Sequence, residues 1–142
     1  MSRIKVLSLQ QPWAHLVIIG EKQFETRGWQ THYRGELYIH ASKSFAGLNL
    51  ELCQLDPHFK KAIPDPSKLK LGAIIGKVKL VHCLPTEEYK FVESLSEKEK
   101  AFGDYRPGRF AWVLENPEPI EPIEVSGNLN IWNFEMKEVA HG

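Results

Sequence analysis

Residues 20–42, GEKQFETRGWQTHYRGELYIHAS, decide the fold, because they contain two stretches in which apolar and polar residues alternate. The alternating stretches are 23–27 and 36–42, and Arg34 and Gly35 before the second one indicate a turn. A period of two is typical of strands that bury one face and leave the other in water. The stretch therefore predicts two strands, with many charged and aromatic side chains on their wet faces.

The residues before this stretch predict a strand followed by a short helix. Residues 5–9, KVLSL, are short and largely apolar, as a strand would be. A helix is then expected to begin at Pro12, with Trp13, Leu16 and Val17 at helical spacing and a glycine at its C-terminal cap. We expect this helix to pack on the sheet through those three side chains.

The residues after it predict further strands separated by helices. Leucines at helical spacing indicate a helix over 45–55, whereas 56–68 contains three prolines and is predicted as a long surface loop. Ser94 and Glu97 have capping-box spacing within a helical region over 86–102. Strands are predicted at 72–84, 109–114, 120–125 and 131–136. No βαβ rhythm appears, so we predict an α+β fold, a barrel-like mixed sheet with short helices inserted between strands.

Composition excludes several classes of function. With 42% hydrophobic and 25% charged residues, the 142-residue chain fits one domain over 1–142. Acidic and basic residues balance at 18 each, so any nucleic-acid contact must come from a local patch. Two distant cysteines and the lack of an apolar run of about 18 residues favour a cytoplasmic protein without membrane contact. The six histidines show no metal-ligand spacing, and we predict neither metal nor cofactor.

Several motifs together resemble the ASCH domain family. The segment LSLQQPWAHLVIIGEKQFETRGWQTHYRGELYIHAS resembles the opening of that domain, whose hallmark is a G-x-K-x-x-E-x-R run. Here the run is complete as Gly20, Lys22, Glu25 and Arg27. GDYRPGRFAWVLENP and GNLNIWNFE resemble the C-terminal strands of the family. The chain is thus identified as a member, with a single ASCH domain over 1–142.

The resemblance implies a PUA-like β-barrel with a cleft into which the lysine, the glutamate and the arginine project. Some small bacterial members hydrolyse acetylated cytidine, some have been described as ribonucleases, and others are regions of larger transcription-linked proteins. In the acetylcytidine hydrolases the position of Glu25 is a threonine, the proposed nucleophile, partnered by the lysine. This chain keeps Lys22 and has Glu25 in place of that threonine.

The candidate catalytic residues are Lys22 and Glu25, and Arg27 is the first candidate for ligand binding. Nearby positive charge keeps a glutamate ionised, so Glu25 could act as a base or orient a hydroxyl. The planar guanidinium of Arg27 suits a phosphate or a polar base edge. The alternative is a solvated surface of ordinary ion pairs.

Five further residues are predicted to bind the ligand. Trp29 follows Arg27 and a glycine in a polar turn, where its ring either stacks on a base or folds back on the barrel. Tyr38 and His40 share a strand face, and His40 either transfers protons or only bonds a neighbour. Arg34 and Arg109 lie in turns, where they either contact phosphate or are solvated.

Three functions remain open on the sequence alone. The first is binding of RNA or a nucleotide-like ligand in the cleft. The second is hydrolysis of a modified nucleoside amide or of an RNA phosphodiester, with Lys22 and Glu25 in acid–base roles. The third is a protein-interaction module in which the cleft residues are structural ion pairs. The sequence predicts no oligomeric state.

Overall fold

The computed structural model describes residues 2–45 and 47–137, and strands make up most of its regular structure. The described residues form six strands: β1 (Ser2–Leu9), β2 (Phe24–Arg27), β3 (Gly35–Ala41), β4 (Ala73–Pro85), β5 (Phe110–Glu124) and β6 (Ile131–Met136). Short α-helices lie between them: α1 (Trp13–Ile18), α2 (Leu48–Leu55), α3 (Pro57–Ala62), α4 (Tyr89–Ser94) and α5 (Glu97–Phe102). Long strands with helices of one or two turns inserted between them confirm the predicted α+β class.

The strands form one mixed sheet in the order β2-β5-β4-β3-β1-β6. β1 and β3 run parallel, and the other neighbours are antiparallel. Within the described residues β2 and β6 are the edges of the sheet, so backbone pairing does not close a complete ring. The parallel pairing places residues near the C-terminal ends of β1 and β3 side by side. These residues form part of the candidate site described below.

Both faces of β3 are buried, which corrects the prediction of a half-solvated strand. Leu37, Ile39 and Ala41 face the main core. Tyr38 and His40 face the other side and are only 7% and 1% exposed. A second, smaller core covers that side, built from side chains of β1, β3, β4 and β6 and the far half of β5: Ile4, Val6, Tyr38, Ile74 and Trp132, with Ile120 and Ile123 against them. Alternation along β3 does separate two faces, but both are internal.

Helix α1 joins the sheet to the helices rather than packing on the sheet alone. Val17 and Ile18 pack in the main core, as expected of a helix laid on the sheet. Leu16 instead belongs to a separate apolar cluster with Phe59 and Phe102, and the half-buried Trp13 packs against that cluster. The helix does pack on the sheet through Val17 as predicted, whereas Trp13 and Leu16 belong to the cluster that α3 and α5 also build.

The segment predicted as a long loop is largely helical. Asp56 accepts hydrogen bonds from the backbone N–H groups of His58 and Phe59, which caps α3 directly before Pro57. Phe59 is then buried, and a 3-10 turn follows at Pro66–Lys68. The prediction of a loop is therefore wrong for 57–62, because a proline at the first helical position begins a helix rather than excluding one.

Two other boundaries differ from the prediction. β5 is one strand of 15 residues instead of two shorter ones, with register shifts against β4 that accommodate its prolines. The cap of α5 is Ser96, whose hydroxyl accepts from the backbone N–H of Glu99 at 3.1 Å, two residues later than the predicted pair. This shift directs the Glu99 side chain towards β2.

Candidate functional site

Two adjoining cavities, of about 490 and 590 Å³, form a continuous groove beside the C-terminal ends of β1, β2 and β3. Ser8, Arg27 and Ser42 line both cavities, so the two share a boundary. We call this surface the groove. The first cavity is also lined by the polar residues Glu25, Thr26, Asp104 and Arg109. The second is also lined by His40 and Lys43 and by Gly127 and Leu129 of a loop.

Glu25 and Arg27 lie on the same face of β2, as their spacing predicts. Nη1 of Arg27 donates to Oε2 of Glu25 at 3.2 Å. The side chains are 10% and 24% exposed respectively, so the glutamate is nearly covered and the guanidinium remains accessible. β2 reaches this position because it pairs with β5, where Glu25 is opposite Trp112. Both residues line the first cavity, and the guanidinium is the more exposed of the two groups.

Two tryptophans support the Arg27 guanidinium. Its Cζ atom lies 5.6 Å from the ring centroid of Trp29 and 6.0 Å from that of Trp112. The two rings meet edge to face at 4.8 Å, and Trp112 Nε1 donates to the Trp29 carbonyl at 3.3 Å. Trp29 therefore packs against the main core and is half-buried there. Cation–π attraction holds the guanidinium over this aromatic surface.

Lys22 does not share the groove with Glu25 and Arg27, which corrects the expectation of a common open surface. It is 1% exposed, and its Nζ donates to the carbonyl of Phe102 at 2.9 Å. Helix α5 covers it from a position 80 residues away in the chain. Burial lowers the pKa of Lys22, and the charges of Glu25 and Glu99 oppose this effect.

Glu99 and Tyr105 extend this buried layer, and the sequence analysis missed both. Glu99 is 5% exposed, and its Oε1 accepts from the backbone N–H of Gln23 at 2.5 Å. Its Oε2 and the hydroxyl of Tyr105 are buried without a hydrogen-bond partner in the described part of the chain. Burial raises the pKa of both groups, and in Tyr105 the charges of Glu99 and Glu25 add to the increase. A lysine, two glutamates and a tyrosine therefore interact electrostatically behind the groove.

Arg109 ties the rim of the groove to β2. Its Nε donates to the carbonyl of Asp104 at 3.0 Å and its Nη2 to the carbonyl of Thr26 at 3.1 Å. Asp104 also pairs with Arg106, whose Nη2 lies 2.6 Å from Oδ2. The hydrogen bond from Arg106, helped by the charge of Arg109, lowers the pKa of Asp104 to about 2. Arg109 lines the first cavity, but much of its donor capacity is used internally.

Arg34 and Tyr38 line neither cavity. Arg34 is exposed, and its Nη1 donates to the carbonyls of Thr31 and Tyr33 at 2.9 and 2.8 Å. Tyr38 is buried under Lys77, whose Nζ lies 5.8 Å from the ring centroid. The structure therefore does not bring these two predicted ligand-binding residues to the groove, and Trp29, although it packs against Arg27, also lines neither cavity.

His40 does line the groove, and it has a partner that the sequence did not reveal. Its Nδ1 lies 3.0 Å from the hydroxyl of Ser8, the residue opposite it in the parallel pairing of β1 and β3. Lys43, an exposed cation of the second cavity, was also not predicted. A register between β1 and β3 would have identified Ser8, but a parallel register cannot be read from one sequence.

Among residues 2–45 and 47–137, no three His, Cys, Asp or Glu side chains are grouped so that they could hold a metal ion. None of the helices in the described part of the chain is long and apolar enough to span a bilayer.

Comparison with protein families and curated proteins identifies relatives of this chain. The family model described as "ASCH domain" matches residues 7–124. Activating signal cointegrator 1 of Homo sapiens is 29% identical over 136 residues, and the mouse protein of the same name is 28% identical over 138 residues. Each match covers 92% of this chain but only 22% of the relative. The chain thus spans less than a quarter of the length of these relatives.

Comparison with solved structures finds ASCH proteins of Zymomonas mobilis. A serine-to-alanine variant of that protein aligns with a TM-score of 0.50 and 20% identity, covering 85% of this chain and 73% of the other. The crystal structure titled "ASCH from Zymomonas mobilis" aligns with a TM-score of 0.48 and 19% identity, over 84% and 72% of the two chains. At such identity the first of these alignments concerns the fold alone, and it agrees with the PUA-like fold that the motifs imply.

Proposed function

The chain belongs to the ASCH domain family, and from this premise we propose that its groove binds single-stranded RNA or a nucleotide-like ligand. The observation that carries the proposal is the placement of Arg27. Its guanidinium borders both cavities, and its one side-chain hydrogen bond among the described residues goes to Glu25. A guanidinium has five N–H donors in a planar fork, so donors remain for two oxygens of a phosphate or a base edge.

Flat and apolar side chains near Arg27 supply contacts for bases. Trp29 is half-buried and lies against the guanidinium at the border of the groove, although it lines neither cavity. Leu129 is 88% exposed in the loop over 126–130 that lines the second cavity. Stacking of one base on such a ring contributes about 1–3 kcal/mol and depends little on base identity. The expected ligand is therefore a nucleotide with an accessible base face rather than a paired duplex.

The charges of the groove set the expected strength of binding. Arg27, Arg109 and Lys43 contribute positive charge, while Glu25 and Asp104 offset part of it. The whole chain has a formal net charge of zero, so there is no long-range attraction for a polyanion. Binding should be weak and should depend only slightly on salt, since each phosphate contact on a single strand contributes a slope of about 0.7.

The test is a titration of 5′-labelled single-stranded RNA by fluorescence anisotropy at two salt concentrations. We expect Arg27→Ala to weaken binding by about 1–3 kcal/mol, the cost of a lost charge-assisted contact. Arg3→Ala is the matched control, because Arg3 is an exposed arginine paired with Glu135 at 3.8 Å on the other edge of the sheet. Thermal melts of all three proteins check that they are folded.

Competition separates the two kinds of ligand within the proposal. If unlabelled mononucleotides displace the labelled RNA at the same nucleotide concentration as unlabelled oligonucleotides do, the groove binds a single nucleotide. If only oligonucleotides displace the labelled RNA, the groove binds several consecutive nucleotides through their phosphate backbone. Equal affinity of wild type and Arg27→Ala, or no binding of RNA or nucleotides at low salt, would contradict the proposal and favour a protein-interaction module.

A second candidate is hydrolysis of a modified nucleoside amide or an RNA phosphodiester, with Lys22 and Glu25 in acid–base roles. Burial supports it, because a lysine with a lowered pKa is better suited to proton transfer near neutral pH. Lys22 does not line the groove, so Glu25 has to be the group that meets the substrate. Incubation with a panel of acylated nucleosides and short RNAs, with Glu25→Gln as control, tests turnover directly.

A further inference from the structure

A serine hydroxyl and a histidine imidazole meet inside the groove, although the sequence alone does not mark them as a pair. Ser8 on β1 and His40 on β3 are opposite each other in the parallel register, and Ser8 Oγ lies 3.0 Å from His40 Nδ1. His40 Nε2 lies 2.7 Å from the carbonyl of Val125. Trp132 Nε1 donates to Ser8 Oγ at 3.1 Å. Four groups from β1, β3, β6 and the segment after β5 therefore form one hydrogen-bonded chain.

The position of each proton follows from the chemistry of the partners. A carbonyl oxygen only accepts, so His40 Nε2 must carry the hydrogen that it shares with Val125. A neutral imidazole then has its lone pair on Nδ1, and Ser8 must donate its hydroxyl proton to that nitrogen. The Trp132 N–H can only donate, which confirms that Ser8 Oγ is its acceptor. This arrangement prepares a serine for loss of its proton to a base whose tautomer is fixed.

The serine is the member of the pair that is open to the groove. His40 is 1% exposed, whereas Ser8 is partly exposed and lines both cavities together with Arg27. Gly127 comes very close to the pair: a Cβ atom there would lie 2.7 Å from Ser8 Oγ and 2.8 Å from His40 Cε1. The glycine therefore allows the backbone of the loop over 126–130 to approach without a side chain that would displace the hydroxyl.

We propose that Ser8 is a nucleophile activated by His40 and that it attacks the acyl carbon of an ester or amide bound in the groove. The Ser8 oxygen forms a bond to the acyl carbon while its proton moves to His40 Nδ1. The bond from the acyl carbon to the leaving oxygen or nitrogen then breaks, and His40 returns the proton to that atom. Water attacks the acyl-serine, again giving a proton to His40, and the carboxylic acid leaves as Ser8 regains its hydrogen.

Positive charge is available where the reaction needs it. The tetrahedral intermediate places a negative charge on the acyl oxygen, and such charge is stabilised by cations and N–H donors already in position. Arg27 lines both cavities with Ser8, and Lys43 lines the second. The activity goes beyond ligand binding and does not depend on it, since a small acyl compound needs only the pair and these cations.

A fluorophosphonate probe tests the nucleophile on the protein alone, without RNA. Attack by Ser8 forms an Oγ–P bond and expels fluoride, leaving a stable adduct that peptide mass spectrometry can locate. We expect wild type to be labelled on Ser8 and Ser8→Ala not to be labelled. His40→Gln should slow labelling by about a hundredfold, the usual contribution of a general base. Ser44→Ala is the matched control, because Ser44 is an exposed serine nearby that lines neither cavity.

Folding controls keep the result interpretable. Thermal melts follow every variant, and heat-denatured wild type shows the labelling of a serine without its environment. If His40→Gln is unfolded, Trp132→Phe replaces it. This variant removes the donor to Ser8 Oγ and part of the ring that packs against His40, and we expect its labelling rate to fall several-fold while its melt shows that it is folded. A purely structural hydrogen-bonded chain would give melts that shift with these variants but no adduct in any of them.

The proposal is overturned by any of three results. These are no adduct on folded wild type after prolonged exposure, an adduct on Ser42 or another serine instead of Ser8, and equal labelling rates in wild type and a folded His40→Gln. A burst of p-nitrophenol from p-nitrophenyl acetate, equal in amount to the protein and lost in Ser8→Ala, would add independent support. Since RNA is absent, failure here leaves the binding proposal to its own titration.

Discussion

The outer face and the groove each hold a cation, an aromatic ring and at least one carboxylate partner, but they leave their cations in different states. The outer face is the surface formed by Lys77, Glu36 and Glu118 above the second core. On the outer face, Lys77 lies over Tyr38 and pairs with Glu36 at 3.2 Å and with Glu118 at 3.7 Å. The hydrogen bond to Glu36 raises the pKa of Lys77 despite its partial burial. Two of the three N–H donors of this lysine have a carboxylate partner, and these carboxylates neutralise its charge.

The groove cluster has the same chemistry with fewer partners. Arg27 lies over Trp29 and pairs with one oxygen of Glu25. Its side chain is 24% exposed and that of Lys77 is 29% exposed, so exposure does not distinguish the two clusters. The number of partners does, and Arg27 lines two cavities of about 490 and 590 Å³ whereas Lys77 lines one of about 290 Å³. A binding cation is recognised by the donors that the fold leaves unused, rather than by its residue type or exposure.

The largest expected effect comes from the charge buried behind the groove. Lys22→Met should lower the free energy of unfolding by about 3–5 kcal/mol, because it leaves buried carboxylates without their cation. Lys77→Met, the same change on the outer face, should cost no more than about 1 kcal/mol, as exposed pairs do. Urea unfolding of both variants measures the difference. Equal losses would show that burial does not separate the two regions.

The next effect tests whether the shape of the cation matters. Arg27→Lys keeps the charge of the groove but removes the planar fork, so we expect RNA affinity to fall about tenfold. The reciprocal change Lys77→Arg on the outer face should leave affinity unchanged. Fluorescence anisotropy at low salt measures both. If Arg27→Lys binds as wild type does, the groove requires only a point charge.

The smallest effect concerns Asp104. Whereas Lys77 is one cation between two carboxylates, Asp104 is one carboxylate between two cations, Arg106 and Arg109. Its pKa in the folded protein is lowered to about 2 from 3.8. A carboxylate with a lowered pKa stabilises the fold at pH values above the unfolded value, and that contribution is lost as pH falls from about 4 to about 2. Because the side chain is 34% exposed, the contribution should stay below about 1 kcal/mol.

Asp104→Asn should therefore melt slightly lower than wild type near pH 6, and the two curves should converge as pH approaches 2. Thermal melts across this range, monitored by circular dichroism, measure the gap. The effect of losing the Asp104 charge must disappear at a pH where the wild-type carboxyl is itself protonated. A difference in melting temperature that stays constant with pH would therefore show that the substitution acts through packing.

Local pattern was enough to locate most of the strands along the chain and to predict one contact of the site. Alternation over 23–27 placed Glu25 and Arg27 on one face, and the two side chains do pair at 3.2 Å. The G-x-K-x-x-E-x-R run identified the family before any geometry was known. Patterns failed where one residue type has two uses: prolines predicted a loop over 56–68, yet Pro57 begins a helix.

Which side chains share a site was decided only by the tertiary structure. Lys22 bonds a carbonyl 80 residues away, and His40 bonds one 85 residues away. Tyr38 and His40 share a strand face, but only His40 lies at the end of β3 that reaches the groove. The period of a strand is a property of its own backbone, so sequence predicts it. Burial and hydrogen-bond partners come from elements distant in the chain, and only their packing fixes them.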